Sequence, residues 1–222
     1  MGGINVMRIK ITQWILMVTI FSVGSVEAKS SWELSKQTDG IQVYVRNSSN
    51  SKIKFFRAVA IMPTRLTSLV AVLEDTTVFP RLFHNCKSAK SLKKVGHNEF
   101  YNYIVTAMPW PVSSRDSITQ SIISQNKKTK RVDISINAKP NMVPQKKGIV
   151  RIKHLVGRWE FTPLKNGMTK VIYELSVVPG GSIPAWLVNL LVIDTPFYTL
   201  LKLRKLVKEP IYKNAKRSYI LD

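Results

Sequence analysis

Residues 180–209 read GGSIPAWLVNLLVIDTPFYTLLKLRKLVKE, and the fold turns on this stretch. Gly180 and Gly181 break whatever precedes them, Ser182 can cap a helix, and Pro184 falls in the first turn, where its missing N–H costs nothing. Leu187, Leu190, Leu191, Tyr198 and Leu201 then share one helical face, while Trp186, Ile193, Phe197, Leu200 and Leu203 form an adjoining apolar stripe. Two stripes need two partners. One is the rest of the fold; the other is either more core or, intermittently, a lipid or a bilayer surface. A membrane span is argued against, because the apolar stretch 185–201 is short for one and carries Asn189, Asp194 and Pro196. Pro196 should bend the helix over something. Lys202, Arg204, Lys205 and Lys208 crowd the last turns, where they suit the helix dipole and can also meet anionic headgroups.

Working back from that helix, alternation marks strands at 169–178, 149–162, 131–138, 117–125, 99–107 and 88–95, joined by turns such as Lys165-Asn166-Gly167. Before them, Leu66, Leu69, Val70 and Leu73 predict a helix to about Glu74, capped by Thr64, and then a turn-rich segment at 75–85. Strands at 41–46 and 52–62 predict a hairpin. A short first helix is expected at 32–38, closed by Asp39-Gly40. Strands in hairpin succession with a long terminal helix give an α+β class built on an antiparallel sheet. A curved sheet wrapped around that helix leaves an interior space, the usual place for a small-molecule site. Ile134 and Ile136, then Val171, Tyr173 and Leu175, then Val150, Ile152 and His154 put an apolar face on each strand. A filled core shows the same alternation.

The chain has 222 residues. Arg8 and Lys10 precede an apolar run, and Val26-Glu27-Ala28 fits signal-peptidase cleavage, so residues 1–28 read as a secretory signal peptide. Residues 29–222 are expected to form one domain, long enough to bury about 70% of its unfolded surface in a single core. Net charge is +21 for the chain, which attracts anions. Nucleic acid, phospholipid headgroups and acidic envelope polymers all fit the charge, and an exported chain meets the last two. Cys86 is the only cysteine, so no intramolecular disulfide forms; it is expected to be a buried small apolar residue. Export with a single thiol points to a bacterial periplasm or secretion.

Three stretches carry a family likeness: Pro109 to Ser117 (PWPVSSRDS), Pro144 to His154 (PQKKGIVRIKH) and Pro179 to Leu187 (PGGSIPAWL). In this order and at these separations they closely resemble the START domain family, the lipid-transfer domains related to the steroidogenic acute regulatory protein. The third segment is most like the phosphatidylcholine-transfer members. The likeness covers about residues 32–209. It implies a helix-grip fold, a curved antiparallel sheet gripping a C-terminal helix around a cavity for one lipid, with no cofactor and no catalysis; no metal site is expected.

The resemblance also implies where the ligand sits. The loop before Arg115-Asp116 and the C-terminal helix should form the cavity mouth, which places Met108, Trp110, Val112, Trp186 and Phe197 at a membrane-facing gate. Cavity candidates are Asn102, Ser121, Ile136, His154, Arg158, Tyr173, Leu190 and Leu191, and Arg115 and Arg151 are headgroup candidates. Phosphatidylcholine-binding members use an Arg and an acid four positions apart, where this chain has Phe79 and Phe83. Sterol-binding relatives keep a buried acid and Arg, where this chain has Asn102 and Ser121. With both pairs uncharged, the pocket is expected to favour an apolar or weakly polar guest. Phospholipid, fatty acid and sterol-like molecules remain open as ligands, with an anionic membrane surface as partner and a monomer as the expected state.

Related cup-shaped folds include cyclases and hydrolases, yet His84, His97 and His154 are scattered, and no HExxH, GxSxG, CxxC or phosphate-binding glycine loop occurs. The positive charge suffices for nonspecific nucleic-acid contact, but no nucleic-acid motif accompanies it. Neither a catalytic site nor a specific nucleic-acid partner is expected.

Overall fold

A computed structural model describes residues 1–2, 32–47, 54–184, 186–187 and 190–222. The expected leader falls almost wholly outside them. The strands are β1 (Glu33–Thr38), β2 (Ile41–Asn47), β3 (Lys54–Pro63), β4 (Cys86–Val95), β5 (Glu99–Thr106), β6 (Arg115–Gln125), β7 (Val132–Ala138), β8 (Val150–Arg151), β9 (His154–Pro163) and β10 (Met168–Val178). The helices are α1 (Leu66–Glu74), the one-turn α2 (Phe79–Leu82), α3 (Thr195–Leu206) and the one-turn α4 (Pro210–Lys213), with a π-helical segment, Leu190–Asp194, leading into α3. The strands form a 10-stranded sheet in the order β1-β2-β3-β10-β9-β7-β6-β5-β4, with β8 beside β6. Every pairing is antiparallel except β6 with β8, which is parallel.

The connection from β3 through α1 and α2 to β4 crosses from the middle of the sheet to its far edge. There α2 packs on β4, while α3 packs on β2, β3 and α2. Helices that touch both flanks force the sheet to curl around them, and the main core lies inside that curl. Leu187, Leu200 and Leu203 are fully buried and Phe197 nearly so. The buried face therefore draws on both predicted stripes, Leu187 from one and Phe197, Leu200 and Leu203 from the other. Trp186 and Tyr198 are exposed instead.

Several expectations are corrected. Residues 33–38 are an edge strand, and Asp39-Gly40, both at positive φ, form the two-residue turn of a hairpin in which Thr38 faces Ile41. Asp-Gly supplies the left-handed pair that such a turn requires, so it closes a strand here and not a helix. The strand expected at 149–162 is two strands, β8 and β9, separated by Ile152 and Lys153. Thr64 does not cap α1. The first residue before that helix is Arg65, whose side chain makes no cap, and the carboxylate of Asp222 accepts from the Thr67 N–H at 2.8 Å. The C-terminal helix is not continuous from its start: Ser182 to Pro184 are not helical, and Pro196 sits in the first turn of α3, just after the wider π turn. A π turn next to a proline lets the chain reorient without the hydrogen bond that proline cannot donate. Cys86 is half-buried at the start of β4. No helix among the described residues is long and apolar enough to cross a membrane.

Candidate functional site

The curl is not filled. Between the inner face of the sheet, α2 and the π-helical segment lies a cavity of about 170 Å³. Admitting one water needs only about 10–15 Å³, so this is a built space and not a packing fault. Strand register explains its walls. Phe100, Ser121, Ile136, Gly157, Leu175 and Phe56 face one another in succession across β5, β6, β7, β9, β10 and β3. One step along the strands, Ile123, Ile134, Trp159 and Tyr173 form a parallel row. Except for Gly157, every member of both rows lines the cavity. The Trp159 and Tyr173 rings stack at 3.9 Å with only 3° between planes, making a flat aromatic floor. Burial raises the Tyr173 phenol well above its ordinary pKa, so it stays neutral.

The lid of the cavity comes from the segment after α1 and from the C-terminal helix. Phe79 and Phe83, packed edge to face at 4.9 Å, line it together with Leu73, His84, Leu191 and Thr195. His84 is held by its backbone N–H, which donates to Thr199 Oγ1 at 3.3 Å, and by a tilted stack on Tyr198 at 4.7 Å. Lys36 Nζ pairs with Asp194 at 2.9 Å and lies 4.2 Å from the centre of the Phe197 ring. Edge strand β1 is thereby tied to the π-helical segment.

Polarity is concentrated on one wall. The cavity face of β6 reads Arg115, Ser117, Thr119, Ser121, Ile123, running from charged to apolar, and Asn102 lies opposite Thr119 on β5. Asn102 Oδ1 accepts from Thr76 Oγ1 at 3.0 Å. Arg115 is 2% exposed. Its guanidinium donates to the carbonyls of Ser113 at 2.5 Å, Gly180 at 3.0 Å and Pro179 at 3.4 Å. Gly181 carries a positive φ of 62°, and a Cβ there would stand 3.5 Å from the guanidinium, so the glycine pair before the helix lets backbone wrap the arginine.

The sequence candidates divide accordingly. Asn102, Ser121, Ile136, Tyr173, Leu191, Met108 and Arg115 all line the cavity, as do Phe79 and Phe83; the Leu190 side chain lies outside the described part. His154 does not. The break at Ile152 and Lys153 shifts the alternation by one residue, so Ile152 and Leu155 face inward and His154 is exposed. Arg158 also lies on the outer face, pairing with Glu174 at 2.9 Å and Glu160 at 3.1 Å. Arg151 is buried but away from the cavity. It clamps both carboxylate oxygens of Asp116 at 2.7 and 3.0 Å and donates to the carbonyls of Pro140, Val143 and Pro144, fixing the loop before β8. At the expected gate, Trp110 is 92% exposed, preceding a cis bond to Pro111, and Val112 is half-buried. Trp186 is 56% exposed, whereas Phe197 is 4% exposed and belongs to the core. Sequence reasoning missed Phe56 and Trp159, which alternation could have found, and His84, for which no signal existed. Of the two headgroup candidates, Arg115 alone puts its charge in the cavity wall.

The START domain family model matches residues 19–209. An uncharacterized protein of Pseudomonas aeruginosa is 34% identical over 190 residues, which is 86% of this chain and 93% of that one. Phosphatidylcholine transfer protein of Bos taurus is 24% identical over 165 residues, 72% of this chain and 76% of the relative. The crystal structure of a STAR-related lipid transfer protein fragment from Xanthomonas axonopodis superposes with a TM-score of 0.73 at 34% identity, covering 80% of this chain and 99% of the fragment.

Proposed function

This chain belongs to the START domain family, and on that footing we propose that it holds one lipid or other hydrophobic molecule in its helix-grip cavity and transfers it at a membrane surface. The observation that carries the reading is the hollow itself, about 170 Å³ between sheet and helix with mostly apolar walls. Apolar chains leave water for such a space at about 0.8 kcal/mol per CH₂. A bilayer offers the same contact, so the cavity competes only by matching it, and polar contacts then set selectivity. Trp110 and Trp186 are exposed; on this reading they are the membrane-facing residues of the gate, and an amphipathic indole is suited to a headgroup layer. The domain is taken as residues 29–222, acting as a monomer after export to the periplasm.

Catalysis is no part of the proposal. Among the described residues, the titratable side chains lining the cavity are His84, Arg115 and Tyr173, and the last two do not exchange protons near neutrality. Native mass spectrometry of the purified protein tests the reading. One amphiphile per chain should appear, on a polypeptide whose mass begins at Lys29. A chain that carries no amphiphile, and that takes up none from vesicles, would refute lipid binding.

A further inference from the structure

Arg115 is a buried cation facing a cavity with no anion beside it. Among the described residues it takes part in no ion pair, and no Asp or Glu lines the cavity. Its neighbour Asp116 points the opposite way, into the grip of Arg151 and the Tyr103 hydroxyl. Burial lowers the Arg115 pKa, and no acid counters it. The one other buried arginine among the described residues, Arg151, has a carboxylate partner and shows what this chain does when the charge is structural. Three backbone carbonyls accept from Arg115, and a guanidinium has five N–H groups. Two donors are left over. The next inward positions on β6, Ser117 and Thr119, are buried residues whose hydroxyls have no hydrogen-bond partner among the described residues, and both line the same cavity. A buried positive charge is costly until an anion joins it, and this one lines the cavity.

We propose that the guest is an anionic single-chain amphiphile, a carboxylate or phosphate head on one acyl chain, with the head against Arg115 and Ser117 and the chain over Trp159 and Tyr173. This rests on the cavity being the lipid site. The hollow is narrow, about 170 Å³, so a slim single chain suits it better than a bulky double-chain lipid. It differs from the expectation of an apolar or weakly polar guest, which came from Phe79, Phe83, Asn102 and Ser121 and took no account of Arg115.

The test is displacement of a fluorescent polyene fatty acid from the full chain by oleate, methyl oleate, oleyl alcohol, monooleoyl phosphatidate and inorganic phosphate. Oleate should compete at least about ten-fold better than its methyl ester or alcohol, the step expected for one charge-assisted pair, and inorganic phosphate should not compete. Whether oleate or the phosphatidate is stronger identifies the head. Arg115→Gln should bring acid and ester to within about two-fold of each other; Arg115→Lys should keep part of the preference. Equal competition by acid, ester and alcohol with the unmodified protein overturns the proposal without any variant that might misfold. Equal competition by inorganic phosphate overturns it too, reducing the site to a bare anion pocket. A chain that binds the ester and alcohol but ignores the acids keeps the lipid reading and loses this one, whereas no probe binding at all removes both.

Discussion

At Gly157, in the middle of β9, an added Cβ would come within 2.6 Å of both the Glu174 carbonyl oxygen and Leu175 Cδ1. Leu175 fills the place a side chain would take, and it is Leu175 that lines the cavity. Gly157→Ala must therefore push β10 or turn Leu175 into the hollow. Overpacking of this kind costs about 1–3 kcal/mol, so the thermal midpoint should fall by several degrees, and a probe of the cavity should bind more weakly. An unchanged melting curve would show the sheet to be more yielding there. His84 gives a second residue-level expectation. Burial and nearby Lys202 lower its pKa, while Asp194 opposes them. A histidine depressed in the folded state stabilises the protein fully above its ordinary value near 6.5, and that contribution is lost as pH falls through the folded value. His84→Phe should flatten the decline in melting temperature between about pH 7 and 5. Glu174 is separate: burial raises it, but hydrogen bonds from Arg158 and Arg57 outweigh that and leave it lowered, so its loss comes only in the acid carboxylate range.

Elements were legible where they were buried on one face. Strands β2, β3, β5, β7 and β10 alternate because one side meets the core, and Leu66 to Glu74 shows a helical period for the same reason. Strand β1 has almost no buried position, so its sequence carries no period, and the tie that places it, Lys36 to Asp194, spans 158 residues. The break between β8 and β9 was hidden for another reason: both pieces are apolar on alternate residues, and only the shift of phase at Lys153 separates them. That one-residue slip sent His154 outward and brought Leu155 in. The charge at Arg115 was visible as a residue but not as an environment, since its cage is made of backbone from Ser113, Pro179 and Gly180. The loop at 107–112 is an element that function should reveal. Met108 reaches the cavity while Trp110 stands almost wholly in solvent, so truncating the indole leaves the walls intact. Trp110→Ala should slow lipid transfer between vesicles several-fold and barely alter equilibrium binding. Equal loss in both assays would mean that the loop supports the cavity and does not gate it.

Over the whole molecule, arginine and lysine divide the positive charge by role. Arg57, Arg65, Arg81, Arg131, Arg151, Arg158 and Arg217 engage carboxylates, and Lys36 is the only lysine in an ion pair among the described residues. Planar guanidinium groups suit such fixed pairing, and ammonium groups are left as mobile, hydrated point charges. Lys87, Lys90, Lys93 and Lys94 stand exposed along edge strand β4, and Lys127, Lys128 and Lys130 in the β6–β7 turn. Lysines on an edge also discourage strand-to-strand association, so their presence alone does not require a membrane. The two roles separate by salt. With a net charge of +21, attraction to an anionic surface should weaken steeply as the screening length shrinks from about 10 Å at 0.1 M to about 3 Å at 1 M. Sedimentation with phosphatidylglycerol vesicles should capture the protein at low salt and release most of it near 1 M, while phosphatidylcholine vesicles capture little at either. Occupancy of the cavity, read by native mass spectrometry, should not follow that curve, because Arg115 and its guest are sequestered from the bulk ions that screen the surface. If cavity occupancy and vesicle capture fell together with salt, the guest would be held from outside, and the buried arginine would have no part in choosing it.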